Sequence, residues 1–215
     1  MTREQLEQAG FRLDADAQQR LSLFVERLLA ENQHTNLTGI RDVETAWRLH
    51  VLDSLALLPL LRESGAQRVA DIGSGGGVPG LPLACAAPEV EWTLIDATRK
   101  KVEAMRRIAA DVRLENVRAL WGRCEQLGNQ DAFREKFDAL TARAVASLER
   151  LIDWSADLVR PGGRLWFFKS AAQAPEEIAQ AAAIARRRRL TLRGTRAYDL
   201  PEGGARVIVT YERNR

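Results

Sequence analysis

Leu21, Phe24, Val25, Leu28 and Leu29 recur at the spacing of one helix face, so a helix is expected there. Asp14 or Asp16 is placed to cap its start, and Thr2 with Gln5 suggests a capping box further upstream. The polar connector Asn32-Gln33-His34-Thr35-Asn36 follows, and then a second helical pattern over residues 42–61 sets Trp47, Val51, Leu55 and Leu58 on one apolar side. Residues 1–62 thus read as a helical cap packed on whatever follows.

At Arg68 the period shortens. Residues 68–73 form a β-like run, 74–80 a glycine-rich turn and 81–87 a helix. Strands are expected at 91–96, 116–121 and 137–143, with an amphipathic helix over 98–112 and another helix over 147–158. Pro161-Gly162-Gly163 predicts a turn into a strand at 164–169, and a helix over 175–188 follows. Two last strand-like runs, 190–198 and 205–213, are close enough for a hairpin. This alternation implies an α/β, Rossmann-like fold. Its expected sheet has seven strands, mostly parallel, with right-handed crossovers, helices on both faces and one antiparallel strand from the C-terminal hairpin. Residues 63–215 are expected to form that domain, making a single structural unit with the cap.

The 215 residues suffice for one catalytic body with an extension. With 46% apolar and 28% charged residues, the composition is that of a folded globular chain, not a disordered one. No stretch approaches the roughly 20 apolar residues of a bilayer span, and Met1-Thr2-Arg3-Glu4-Gln5 has no signal-peptide core. A cytoplasmic monomer without a membrane partner is expected. Cys85 and Cys124 lack CxxC spacing, and His34 and His50 have no companion ligand at workable spacing, so no metal site is expected. The net charge of +3 and pI of about 9.2 permit a nucleic-acid partner without requiring one.

The densest chemical signal is Asp71-Ile72-Gly73-Ser74-Gly75-Gly76-Gly77-Val78-Pro79-Gly80, where missing side chains let a ligand lie against the backbone. Gly75 to Gly80 also fits GxGxxG, and Asp96 lies where a ribose-binding acid belongs, so a nicotinamide or flavin dinucleotide competes. Two features favour S-adenosylmethionine: Asp71 lies within the first strand just ahead of the glycines, and the chain has no room for a second catalytic domain. On this reading Gly73, Gly75 and Gly77 admit the methionine end and ribose, Val78 packs on the cofactor, and Asp96 accepts from the ribose hydroxyls. The plainer alternative for Asp96 is helix capping. Arg123-Cys124-Glu125 follows the third strand, where a backbone amide meets adenine unless the segment is a mere surface loop. The fourth strand ends in Thr141-Ala142-Arg143-Ala144, facing the transferred methyl. That stretch has neither the [DN]PP[YF] of exocyclic-amine methylation nor the cysteine nucleophile of pyrimidine carbon-5 methylation. Guanine N7 fits better: it has a free lone pair and no proton to lose, so positioning replaces a general base.

The ordered series Asn36-Leu37-Thr38 with Arg41, His50-Val51-Leu52-Asp53-Ser54, the Asp71 to Gly80 loop, and Arg143-Ala144-Val145-Ala146-Ser147-Leu148 resembles the RsmG family, also called GidB, over nearly the whole chain. The resemblance implies a class I methyltransferase fold and methyl transfer from S-adenosylmethionine, leaving S-adenosylhomocysteine, to N7 of one guanine in small-subunit ribosomal RNA. The acceptor is free RNA or an assembling small subunit, with the base extruded into the pocket. It implies that Gly73, Val78, Cys124, Glu125 and Arg143 line the cofactor site, and that Lys169 and Arg206 face the RNA. Gly76, Val78 and Ser170 depart from the residues usual in that family. Methylation of a small molecule or protein, and a non-catalytic RNA-binding assembly factor, are the competing functions.

Arg143 is the candidate catalytic residue. Because a cation beside a purine gaining positive charge is unfavourable, it is expected to position the reacting pair while a neighbouring carboxylate balances it. His50 is expected to be structural or substrate-facing. Within Arg186-Arg187-Arg188-Arg189, Arg187 and Arg188 are candidate phosphate contacts, with a solvated helix end as the alternative. Arg99-Lys100-Lys101 and Arg106-Arg107 add charge to the helix after the second strand, which starts near the cofactor edge; they extend an RNA footprint or merely keep the surface soluble. Trp47, Trp92, Trp121, Trp154 and Trp166 read as core, with Trp47 the one to suspect of RNA contact.

Overall fold

In the computed structural model, residues 6, 7, 10–200 and 204–215 are described, so the Thr2 and Gln5 capping box lies outside them. Helix α1 (Ala15–Asn32) begins where the Asp14 carboxylate accepts from the Ala17 amide at 2.7 Å, and it buries Leu21, Phe24, Val25 and Leu28 as their spacing predicts. Its last residue organises the connector. The Asn32 side chain donates to the carbonyls of Thr38 and Ile40 and accepts from the amides of Leu37 and Thr38, all within 3.1 Å.

The single helix expected over residues 42–61 is not observed. The chain forms α2 (Val43–Ala46), a π-helical segment (Trp47–Leu52), α3 (Asp53–Leu55) and, after a break, α4 (Leu58–Ser64). Pro59 lacks the amide that would continue the earlier helix and stands instead in the first turn of α4. The π-helical register widens the turn at Leu49 and His50, a distortion that recurs where side chains converge on a site.

The sheet has the order β3-β2-β1-β4-β5-β7-β6, with β1 (Arg68–Ile72), β2 (Glu91–Asp96), β3 (Val117–Trp121), β4 (Phe137–Arg143) and β5 (Val159–Ser170) parallel. Strands β6 (Leu190–Leu200) and β7 (Gly204–Arg213) form the hairpin, and β7 inserts antiparallel between β5 and β6. The expected Pro161-Gly162-Gly163 turn is a bulge inside β5, because pairing with β4 jumps from Phe137 opposite Val159 to Ala139 opposite Arg164.

Two hydrophobic clusters cover the two faces. On one, α1, α4, α5 (Gly80–Ala86) and α6 (Arg99–Asp111) pack with Trp92, Leu94 and Trp166. On the other, α8 (Leu148–Ser155) and α9 (Ala174–Arg187) pack over Ile72, Ile95, Leu140 and Phe167, with the unanticipated short helix α7 (Cys124–Leu127) at the edge. The chain leaves β1 toward β2 and β3 and returns to β4, so strand order reverses between β1 and β4. The carboxyl ends of those two strands bound a crevice, the usual ligand position in such sheets.

Candidate active site

The loop after β1 and the end of β4 meet in that crevice. Gly73 has φ of +65°, and its amide donates to the Ile95 carbonyl at 2.8 Å, so the chain turns sharply off β1. A Cβ there would stand 2.5 Å from Val145, which makes glycine necessary on steric as well as conformational grounds. Gly73 lies in the wall of two adjoining hollows. One, about 110 Å³, is lined by Ile72, Ile95, Ala97, Gly122, Cys124 and Glu125; the other, about 210 Å³, by Thr38, His50, Gly75, Val78, Lys101 and Arg143.

The second hollow has a polar wall assembled from four parts of the chain. Arg143, at the end of β4, donates through Nη1 to the Leu49 carbonyl at 2.6 Å and to Asp53 Oδ2 at 2.5 Å, and through Nη2 to His50 Nδ1 at 3.0 Å. Tyr198 of β6 donates to the other Asp53 oxygen at 2.6 Å. Because a guanidinium can only donate, His50 Nδ1 must accept and its proton resides on Nε2, which donates to Thr38 Oγ1 at 2.9 Å. Burial, aided by the Arg143 charge, holds the imidazole pKa down at about 4, so the ring is neutral near pH 7. Asp53 is therefore the balancing carboxylate that sequence reasoning anticipated without naming. Asn32 and Tyr198 had no assigned role, Thr38 carried a signal only as part of a motif, and Lys101 only as part of a basic cluster.

Beneath the loop, Asp71 is fully buried and accepts from the Gly80 amide at 3.0 Å through Oδ2, while Oδ1 has no partner. Burial pushes its pKa up to about 7, against the opposing pull of the Gly80 amide. Asp71 and His50 give stability opposite pH slopes. His50 has its folded pKa below its unfolded value, so stability falls as pH drops from about 6.5 toward 4. For Asp71 the folded value is the higher, so stability falls as pH rises from about 4 toward 7. Asp71→Asn removes only the second slope. Stability in urea is then expected to climb between about pH 4.5 and 6.5 more steeply than wild type, by up to about 3 kcal/mol. Parallel wild-type and variant curves would refute this reading of the two groups.

The structure brings together Gly73, Gly75, Val78, His50 and Arg143 around one hollow, and Gly73, Cys124 and Glu125 around the other. Gly77, at φ of +85°, adopts a conformation only glycine holds easily, and a Cβ there would stand 2.3 Å from Leu81. Asp96 is buried and accepts from the amides of Gly75 at 2.9 Å and Thr98 at 2.7 Å; the N-cap of α6 is Thr98, so Asp96 does not cap that helix but ties its entry to the glycine loop, and each oxygen keeps one further accepting position. Cys124 is held up at about 12 by burial and the neighbouring Glu125 carboxylate, so its sulfur stays a thiol.

A sequence profile described as "GidB: rRNA small subunit methyltransferase G" matches residues 17–196. The chain belongs to the GidB family. It is 47% identical over 187 residues to the ribosomal RNA small subunit methyltransferase G of Sorangium cellulosum (strain So ce56), covering 86% of this chain and 77% of that one. The protein of the same name from Moorella thermoacetica is 37% identical over 175 residues, covering 81% and 73%. Among solved structures, the O-methyltransferase from Bacillus cereus in complex with SAH superposes with a TM-score of 0.63 at 16% identity over 98% of this chain and 96% of that one. The ribosomal protein L11 methylase from Lactobacillus delbrueckii subsp. bulgaricus gives 0.57 at 18% identity over 83% and 81%. These two likenesses bear on the fold. The GidB family member described here is a methyltransferase whose donor is S-adenosylmethionine, and its glycine turn has the open backbone that such a donor needs.

The other positions carried from sequence have their own surroundings in this GidB protein. Lys169 has its ammonium engaged by the Ala146 carbonyl and by Glu177, each at 2.7 Å, and Glu177 also accepts from the Leu148 amide. It holds the loop after β4 instead of facing outward. Arg206 lies on β7 opposite Ser170 and Tyr198, near the site. Arg188 is tied to Asp153 and Asp157, and Arg187 approaches Asp153 at 3.3 Å. Both stand at the end of α9 that leads into β6, the edge of the sheet opposite the crevice. Trp47 is buried, whereas Trp121 is 60% exposed, the reverse of their expected ranking. No helix among the described residues is long and apolar enough to cross a membrane.

Proposed function

We propose that the protein transfers a methyl group from S-adenosylmethionine to N7 of one guanine in small-subunit ribosomal RNA, using Arg143 as a charge-balanced positioning group. The observation that carries this reading is the Arg143–Asp53 pair beside the neutral His50, next to Gly73. Bound S-adenosylmethionine supplies an electrophilic methyl on a positively charged sulfur. Gly73, Gly75, Gly77 and Val78 cradle that donor, Asp96 uses its remaining accepting positions for the ribose, and the backbone at Cys124 and Glu125 meets the adenine. An unbalanced arginine would repel a purine acquiring charge; with Asp53 at 2.5 Å the pair presents directed N–H groups and little net field. His50, neutral and clamped by Thr38, fixes the guanidinium plane, and Arg206 contacts the RNA from the β7 side.

The acceptor is small-subunit ribosomal RNA, free or in an assembling subunit, and the enzyme works as a cytoplasmic monomer. Residues 1–62 act with residues 63–215 as one unit, a reading supported by the hydrophobic cluster that α1 shares with α5 and α6. The test supplies labelled S-adenosylmethionine with unmodified small-subunit RNA, small subunits, bulk protein and small-molecule extract. Label is expected in RNA alone, released on nucleoside digestion as 7-methylguanosine. Label in protein or small molecules with RNA untouched, or in a different nucleoside, would overturn the proposal.

A further inference from the structure

Trp121 ends the edge strand β3 and is 60% exposed, although its indole is held in place. Its Nε1–H donates to the Ala97 carbonyl at 3.0 Å, and the Arg99 guanidinium lies 5.8 Å from the ring centroid, itself held by Glu103 at 2.9 Å. A large aromatic that is ordered yet open to water has the form of a stacking surface, since indole burial is favourable whenever a flat partner arrives. Strand alternation puts Trp121 on the α6 side, with Ala119, whereas Ile72 and Ile95 in the smaller hollow belong to the opposite face. The indole therefore stands outside that hollow.

From Trp121 a run of cations leads inward. Arg99 stacks on the ring, Lys100 follows, and Lys101 lines the hollow that contains His50 and Arg143. Arg123, two residues beyond Trp121 and 64% exposed, stands at the smaller hollow with its guanidinium 3.7 Å from Glu125. We propose that Trp121, backed by Arg99, is a platform on which an unpaired base of the substrate RNA neighbouring the target guanine stacks, with Lys100 and Arg123 facing its phosphates. Stacking on a single aromatic is tolerant of base identity, so the platform grips the strand while the hollow selects the base. The inference rests on the reading of the substrate as RNA.

The test compares Trp121→Ala and Trp121→Phe with wild type, using an oligoribonucleotide that spans the methylated guanine. Trp121→Ala is expected to raise the RNA Kd and KM about tenfold. The same variant should leave kcat at saturating RNA and the calorimetric affinity for S-adenosylmethionine within about twofold of wild type. Trp121→Phe should recover most of the lost affinity, and Arg99→Gln should make the salt dependence of RNA binding shallower. RNA affinity of Trp121→Ala equal to wild type would overturn the platform, and so would a fall in cofactor affinity, which would assign the indole to the donor site. A wild-type protein that leaves RNA unmethylated sinks the parent reading, whereas a wild type that methylates RNA alongside an unimpaired Trp121→Ala sinks the platform alone.

Discussion

Arg143→Ala is expected to lower kcat for methyl transfer by about a hundredfold or more, with the KM for RNA changing little, because loss of a positioning group misplaces the reactants by an ångström or so. The same change strands Asp53, which is 1% exposed, and leaving a buried charge without its partner costs about 3 kcal/mol of stability. The two consequences are separable. Asp53→Asn in the Arg143→Ala background removes the stranded charge and keeps an oxygen for the Tyr198 hydroxyl, so stability should return while turnover stays low. Urea denaturation and steady-state kinetics on the two variants read this directly. Turnover restored in the double variant would mean that Arg143 serves only to neutralise Asp53.

Gly80→Ala is expected to destabilise the protein strongly even though Gly80 has no positive φ. A methyl there would stand 2.2 Å from Leu94 Cδ2 and 2.9 Å from Asp71 Oδ2, and Leu94 is fully buried in the core. Something must move, and the hydrogen bond from the Gly80 amide to Asp71 at 3.0 Å is the contact most directly pried apart. Overpacking and a lost buried hydrogen bond together amount to about 3 to 4 kcal/mol. For a chain of this length that corresponds to a Tm lowered by roughly 10 °C. Gly39→Ala, where an added Cβ meets nothing within 4 Å, serves as the control and should melt with wild type. Equal Tm values for both variants would show that the core under the loop yields without penalty.

These particulars also show which parts of the molecule can be read from its residues. The strand, glycine turn and helix around Asp71 to Gly80 are written locally: a change of period, a cluster of glycines and a proline all lie within a short stretch. The crossover order follows from strand and helix alternation, and the hairpin from the proximity of its strands. By contrast, nothing near Asp53 in sequence announces Arg143, 90 residues away, or Tyr198, 145 residues away. The π-helical turn was equally hidden, because the apolar spacing of Trp47, Val51 and Leu55 is that of an ordinary helix. Trp47 and Trp121 illustrate the same limit. Each stands among apolar neighbours, and only the position of β3 at the sheet's edge leaves the second uncovered. In the run at Arg186 to Arg189, the pairing of Arg187 and Arg188 with Asp153 and of Arg188 with Asp157 could not be read from the sequence, because those carboxylates lie more than 30 residues upstream.

The four hydrogen bonds made by Asn32 have a mechanical corollary. They fold the connector back so that Thr38 reaches His50, whose ring in turn holds Arg143. Residues 32–53 are thereby one linked clasp: replacing the Asn32 carboxamide by an apolar side chain would loosen it at its root, well away from the hollow. A lesion at one connector residue is thus relayed through Thr38 and His50 to Arg143, on a strand far along the chain.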